Sequence, residues 1–145
     1  MLTVALASAA YGQRPGLTND LILSAGPVAG ASPTSAYQSF CDAWNQNDIA
    51  GMKSNVSTGS IAWGTKLAES QGKSLDQMVE EVRRDIPPRS LSPQMRNEKI
   101  TGNTATLEVM DEPNRPWSVM YFVREEGVWK VDLEKLFRHT PMINF

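Results

Sequence analysis

Few residues here are both chemically capable and placed where a fold would enclose them. Tyr37 and Tyr121 lie on apolar faces, where a hydroxyl either reaches a cavity or forms the polar end of a core side chain. Three acids fall in strand-like segments: Glu98, Glu108 and Asp132. Alternation opposes Glu108 to Leu107 and Val109, and Asp132 to Val131 and Leu133, so both point away from the main apolar face. The one histidine, His139, follows the last strand-like segment beside Thr140 and Pro141 and reads as solvated. Cys41 has Phe40 and Trp44 for neighbours and no cation to activate its thiol, so it reads as a small buried hydrophobe. A single cysteine excludes a disulfide within the chain and a zinc site built from several thiolates. The Asn55-Val56-Ser57 triplet matches a glycosylation acceptor and reads as a chance match. There is no glycine-rich phosphate loop. No catalytic set, metal site or cofactor is read from these residues.

Binding is the better use of what remains. Four tryptophans stand out, Trp44, Trp63, Trp117 and Trp129. Sites for small apolar molecules are lined by aromatics with a few polar groups, although the same side chains also fill cores. Tyr37, Trp44, Trp63, Met78, Tyr121 and Trp129 are the candidate lining of a ligand cavity, with Trp63 at its mouth.

These residues need a scaffold, and the composition supplies one. The chain has 145 residues, 41% hydrophobic and 21% charged, enough for one domain with a sizeable core. Formal net charge is -2, which argues against a nucleic-acid partner. The one dense basic segment, Arg83, Arg84, Arg89 and Arg96, is interleaved with Glu80, Glu81 and Asp85 and reads as a solvated helix face.

Leu2 to Ala10 is apolar and small, as in the remnant of a signal peptide covering 1–12, though no Lys or Arg precedes it. It is shorter than the about 20 apolar residues that span a bilayer. Export to the periplasm or beyond, with no membrane segment in the mature chain, is the expectation. Residues 13–31, rich in Gly and Pro, read as a linker interrupted by Leu21-Ile22-Leu23. The domain is expected over 32–137, with 138–145 as a tail.

Ser32-Pro33 starts a helix, Ser as N-cap and Pro in the first turn. Tyr37, Phe40, Cys41 and Trp44 form its stripe. Asp48 caps a weaker second helix containing Gly51. A third helix spans Ile61 to Glu69, with Trp63 and Leu67 one turn apart. Ser74 and Gln77 form a capping box for a fourth, whose stripe is Leu75, Met78, Val79, Val82 and Ile86. Pro87-Pro88 stops it. After Pro93 the pattern alternates. Strands are expected over Gln94–Thr101, Thr104–Met110, Trp117–Arg124 and Val128–Leu133, with Trp117, Val119, Tyr121 and Val123 as the inward row of the third. Helices followed by two hairpins make an α+β fold.

The helix Ser32 to Asp48, the segment Gly72-Lys73-Ser74-Leu75, and the ending Phe122-Val123-Arg124-Glu125-Glu126-Gly127-Val128-Trp129-Lys130-Val131 resemble nuclear transport factor 2-like domains, in particular a small exported bacterial branch of unknown function. The resemblance implies a bent four-stranded antiparallel sheet wrapped around three or four helices as a cone. Some such domains, ketosteroid isomerases and polyketide cyclases among them, use the cone as an active site, and many only bind or dimerise. Non-catalytic binding of a small apolar molecule or protein partner is therefore the leading expectation. The alternatives are an isomerase- or cyclase-type enzyme in which Tyr37 or Tyr121 meets a carboxylate such as Asp42, and a module that forms homodimers through its outer sheet face.

Overall fold

The computed structural model describes residues 30–86 and 93–139. The signal-peptide-like 1–12, the linker up to 29, the Pro87-Pro88 stop and the tail from 140 lie outside the described residues.

Each helix begins where a side chain satisfies its exposed amides. In α1 (Pro33–Asn45), Ser32 accepts from the Ser35 amide at 3.0 Å and Ser35 Oγ accepts from the Ser32 amide at 2.9 Å, a reciprocal capping box. Asp48 caps α2 (Ile49–Ser54) through the Gly51 amide at 2.9 Å. Ser57 caps α3 (Thr58–Ser70), which starts three residues earlier than its apolar pattern suggests. Ser74 and Gln77 cap α4 (Leu75–Asp85) as the sequence predicts.

The sheet follows in chain order: β1 (Gln94–Thr101), β2 (Thr104–Met110), β3 (Ser118–Glu125) and β4 (Val128–Val131), all antiparallel neighbours. The β3–β4 turn holds Glu126 and Gly127 at φ 51° and 80°, the positive-φ pair of a hairpin turn whose twist matches the strands. A bulge between Arg96 and Lys99 interrupts β1, with Asn97 at φ 55°. The free edge of β4 is covered by chain: Val56 bridges Val131 in parallel, and the Trp129 amide donates to the Gly30 carbonyl at 2.8 Å. Gly30 is buried, so the packed structure reaches into the stretch read as linker.

The α+β architecture is as expected, with helix α1 packed across β1, β2 and β4. Tyr37, Phe40, Cys41 and Trp44 are all buried there with Ala105, Leu107, Val109, Trp129 and Val131. Two expectations are corrected. The inward row of β3 is Met120 and Phe122, the latter 1% exposed, whereas Val119 is 41% exposed on the outer face with Tyr121 and Val123. This strand is apolar on both rows, so alternation alone cannot choose a face. Its register against β2 decides, placing Met120 opposite Leu107 and Phe122 opposite Ala105. The tail is also different: β4 ends at Val131, Asp132 accepts from the Lys135 amide at 3.1 Å, and Leu133–His139 forms a fifth helix, α5.

Neither α1 nor α3 carries an acid in its own first turn, and the sheet supplies one to each. Glu98 of β1 accepts from the Thr34 amide and hydroxyl at 3.1 and 2.6 Å. Glu125 of β3 accepts from the Thr58 amide and hydroxyl, each at 3.0 Å to one of its oxygens. These carboxylates answer both the unpaired amides and the positive end of the helix dipole. Glu98→Gln and Glu125→Gln should each cost about 0.5–1 kcal/mol, a drop of a few degrees in Tm by thermal circular dichroism. An unchanged Tm in both variants would show that the helices do not depend on these ties.

Candidate functional site

The six candidate lining residues divide into two groups. Tyr37, Trp44 and Trp129 are buried members of the central core, beside Phe40 and Phe122. The Tyr37 hydroxyl donates to the half-buried Asp111 carboxylate, at the end of β2. A tyrosine and a carboxylate thus meet, but the acid is Asp111. Asp42 instead accepts from Gln38 one turn earlier, at 3.0 Å. In the sequence Asp111 opens a proline-containing loop, and nothing in its spacing links it to a helix 74 positions away.

Trp63, Met78 and Tyr121 are half-buried and sit on or beside the outer helices. Trp63 on α3 stacks against Phe137 on α5, with ring centroids 5.3 Å apart and planes 28° apart. Tyr121, on the outer face of β3, meets two residues of α5 one turn apart: the His139 ring at 5.4 Å and the Lys135 ammonium at 5.2 Å. Met78 and Leu75 of α4 approach α3 at Gly64, where an added Cβ would lie 3.2 Å from Leu75 Cδ1. Glycine therefore permits the close helix contact.

Polar contacts fix α4. Arg83 donates to the Trp44 and Asn45 carbonyls at the end of α1, at 2.8 and 3.3 Å. Lys53 of α2 pairs with Asp76 at 2.7 Å. Positioned this way, α4 buries none of its residues fully: Val82 stays exposed although it shares a face with the half-buried Leu75, Met78 and Val79, and the extended C-cap Ile86 is exposed too. Leu67, one turn beyond Trp63 on α3, is exposed too, as is Phe137. Helices α3 and α5 thus leave Leu67 and Phe137 exposed beside the half-buried Trp63, and α4 with its C-cap leaves Val82 and Ile86 exposed.

A hydroxyl cluster joins α3 to α5. The buried Ser57 hydroxyl donates to Ser60 Oγ at 2.7 Å, Ser60 Oγ accepts from the Glu134 amide at 3.1 Å, and the Ser60 hydroxyl reaches Asp132 at 3.4 Å. Asn55 of the sequon is occupied structurally, its amide donating to the Gly51 carbonyl at 2.8 Å, with Ser57 buried.

On the outer sheet face, hydrogen bonds from Asn97 and Arg96 hold the Glu108 carboxyl below the ordinary glutamate value, at 3.0 and 2.8 Å. The Arg96 guanidinium also lies 3.8 Å from the Trp117 ring centroid. This group clamps the β1 bulge. Among the described residues, no group of three or more His, Cys, Asp or Glu is arranged to hold a metal ion, and no helix is long and apolar enough to cross a membrane.

No protein-family model matches the chain, and no curated protein matches it in sequence. A solved structure from Campylobacter jejuni, described as an NTF2-like transpeptidase, is similar over 69% of this chain and 96% of that one, at 16% identity and a TM-score of 0.47.

Two predictions follow from the tied groups. Tyr37→Phe should lower stability by about 1–2 kcal/mol in urea unfolding, because it removes a hydrogen bond to a charged acceptor from a closed site. An unchanged midpoint would remove Asp111 as an anchor of α1. For Glu108 the folded pKa lies below the unfolded one, so its contribution is complete above the unfolded value of about 4.3 and fades as pH falls through the depressed value. Wild type should therefore be more stable than Glu108→Gln at neutral pH, with the gap closing in acid. A gap that persisted below the depressed value would contradict the clamp.

Proposed function

We propose that this chain is an exported, non-catalytic binding domain that receives apolar side chains of a protein partner on the face formed by α3, α4 and α5. The observation that carries this reading is α4. Its stripe of four apolar residues, Leu75, Met78, Val79 and Val82, has no fully buried member, and Val82 and the C-cap Ile86 are exposed, while polar contacts to α1 and α2 hold the helix in place. Apolar side chains left in solvent on helices fixed by polar contacts, Val82 and Ile86 at α4 and Leu67 and Phe137 on α3 and α5, have the composition of a protein-binding surface. A small-molecule site would instead be concave and enclose its ligand. The inner aromatics Tyr37, Trp44 and Trp129 serve as core in this reading, and Trp63 and Met78 contribute to the binding face. Export rests on the apolar stretch Leu2 to Ala10.

The contact between Tyr37 and Asp111 favours a second reading, an isomerase- or cyclase-type site. A hydroxyl bound to a carboxylate is the pairing such chemistry uses to hold or move a proton. Its weakness is access, since Tyr37 is closed to solvent.

Photo-crosslinking in the native host tests the binding reading. A benzoylphenylalanine placed at Leu67 or Val82 should give one and the same discrete adduct, and one at Val119 on the outer sheet should give none. An adduct from Val119 alone, or no adduct at any position, would overturn it. A self-adduct at Val119 would identify the homodimer.

A further inference from the structure

We infer that α5 is a detachable strap whose Phe137 occupies the face of Trp63 that a partner's side chain would take. The inference rests on the binding face proposed above and adds its regulation.

The helices are held very differently. Helix α1 buries eight of its thirteen residues, whereas α5, with seven residues, buries none. A helix this short does not persist alone in water, so leaving its seat means unfolding. What keeps it folded is a small set of separable contacts. Asp132 and Ser60 hold its first amides. Leu133 and Leu136 are partly buried against the core. Phe137 stacks on Trp63, and Lys135 and His139 sit against Tyr121. The first group uses residues at the start of the helix, and the aromatic contacts use its two flanks, so α5 lies between Trp63 on one side and Tyr121 on the other.

No hydrogen bond of the sheet depends on this helix. The edge of β4 is satisfied by Asn55, Ser57 and Gly30, not by α5. The strap can therefore open without breaking the ladder, as a local unit of lower stability than the strands. Opening uncovers the Trp63 ring one turn from the exposed Leu67. Phe137, 44% exposed and bound by one face of its ring, is a weak internal competitor. A partner with an aromatic or branched aliphatic side chain can displace it while α1 and the sheet stay intact.

Hydrogen exchange on the full chain, read by mass spectrometry, tests the strap. Amides of 133–139 should exchange at least ~10-fold faster than those of β2, and Phe137→Ala should speed them a further ~5-fold with β2 unchanged. Phe137→Leu should restore most of the protection. Exchange of α5 in step with β2, or a variant that accelerates both equally, would overturn the strap by showing that α5 opens only with the whole domain. Binding of 1-anilinonaphthalene-8-sulfonate to the same variant separates the two ideas. Uptake rising several-fold supports a strap over a binding face. Faster α5 exchange with unchanged uptake leaves the strap standing and counts against the binding face itself.

Discussion

The aromatic stripe of α1, laid across the inner face of the sheet, is the contact on which the other elements depend. Tyr37, Phe40, Cys41 and Trp44 fall on one side of the helix and meet Leu107, Val109, Trp129 and Val131 from strands far away in sequence. Burying four such side chains removes a large apolar area from water, and no other helix of the domain contributes as many buried residues. The polar groups around this contact orient it. Ser32 and Glu98 fix where α1 starts, Tyr37 ties its middle to Asp111, and Arg83 meets its last carbonyls.

With Tyr37, Phe40, Cys41 and Trp44 buried on the inner face, the binding proposed here belongs to the outer helices. The remaining helices bury fewer residues, Met52 from α2, Ser60, Gly64 and Ala68 from α3 and none fully from α4 or α5, and are held as well by caps, ion pairs and edge contacts. That mode of attachment explains why apolar residues persist in solvent on α3, α4 and α5: the polar struts set helix position before the apolar stripe finds a partner. In the strap proposal, α5 is lightly secured because only Leu133 and Leu136 reach the core and none of its residues is fully buried.

Much of this was legible in the sequence where local chemistry dictates structure. The Ser32 N-cap with Pro33, the Ser74–Gln77 capping box, the α1 stripe, the inward row Ala105, Leu107 and Val109, and the four strands follow from spacing and cap residues. What was not legible depends on tertiary pairing. The inner face of β3 is not legible, because Trp117, Val119, Tyr121 and Val123 alternate as convincingly as Met120 and Phe122, and only the register with β2 distinguishes them. Helix α5 was missed because its cap, Asp132, reads as the outward residue of a strand. The site fared similarly. Tyr37 stood out as a polar residue on an apolar face, but its partner Asp111 is visible only in three dimensions. The α4 stripe was clear, and its exposure could not be known before the position of α1 was.

In this proposal the inner face of the sheet is closed core and binding belongs to the outer helices. Amide chemical-shift mapping of the labelled domain with 1-anilinonaphthalene-8-sulfonate tests it most directly. The account predicts shifts confined to α3, α4 and α5, strongest near Leu67, Val82 and Phe137. Shifts centred on Leu107, Phe122 and Val131 would place the ligand inside, between α1 and the sheet, and would contradict it.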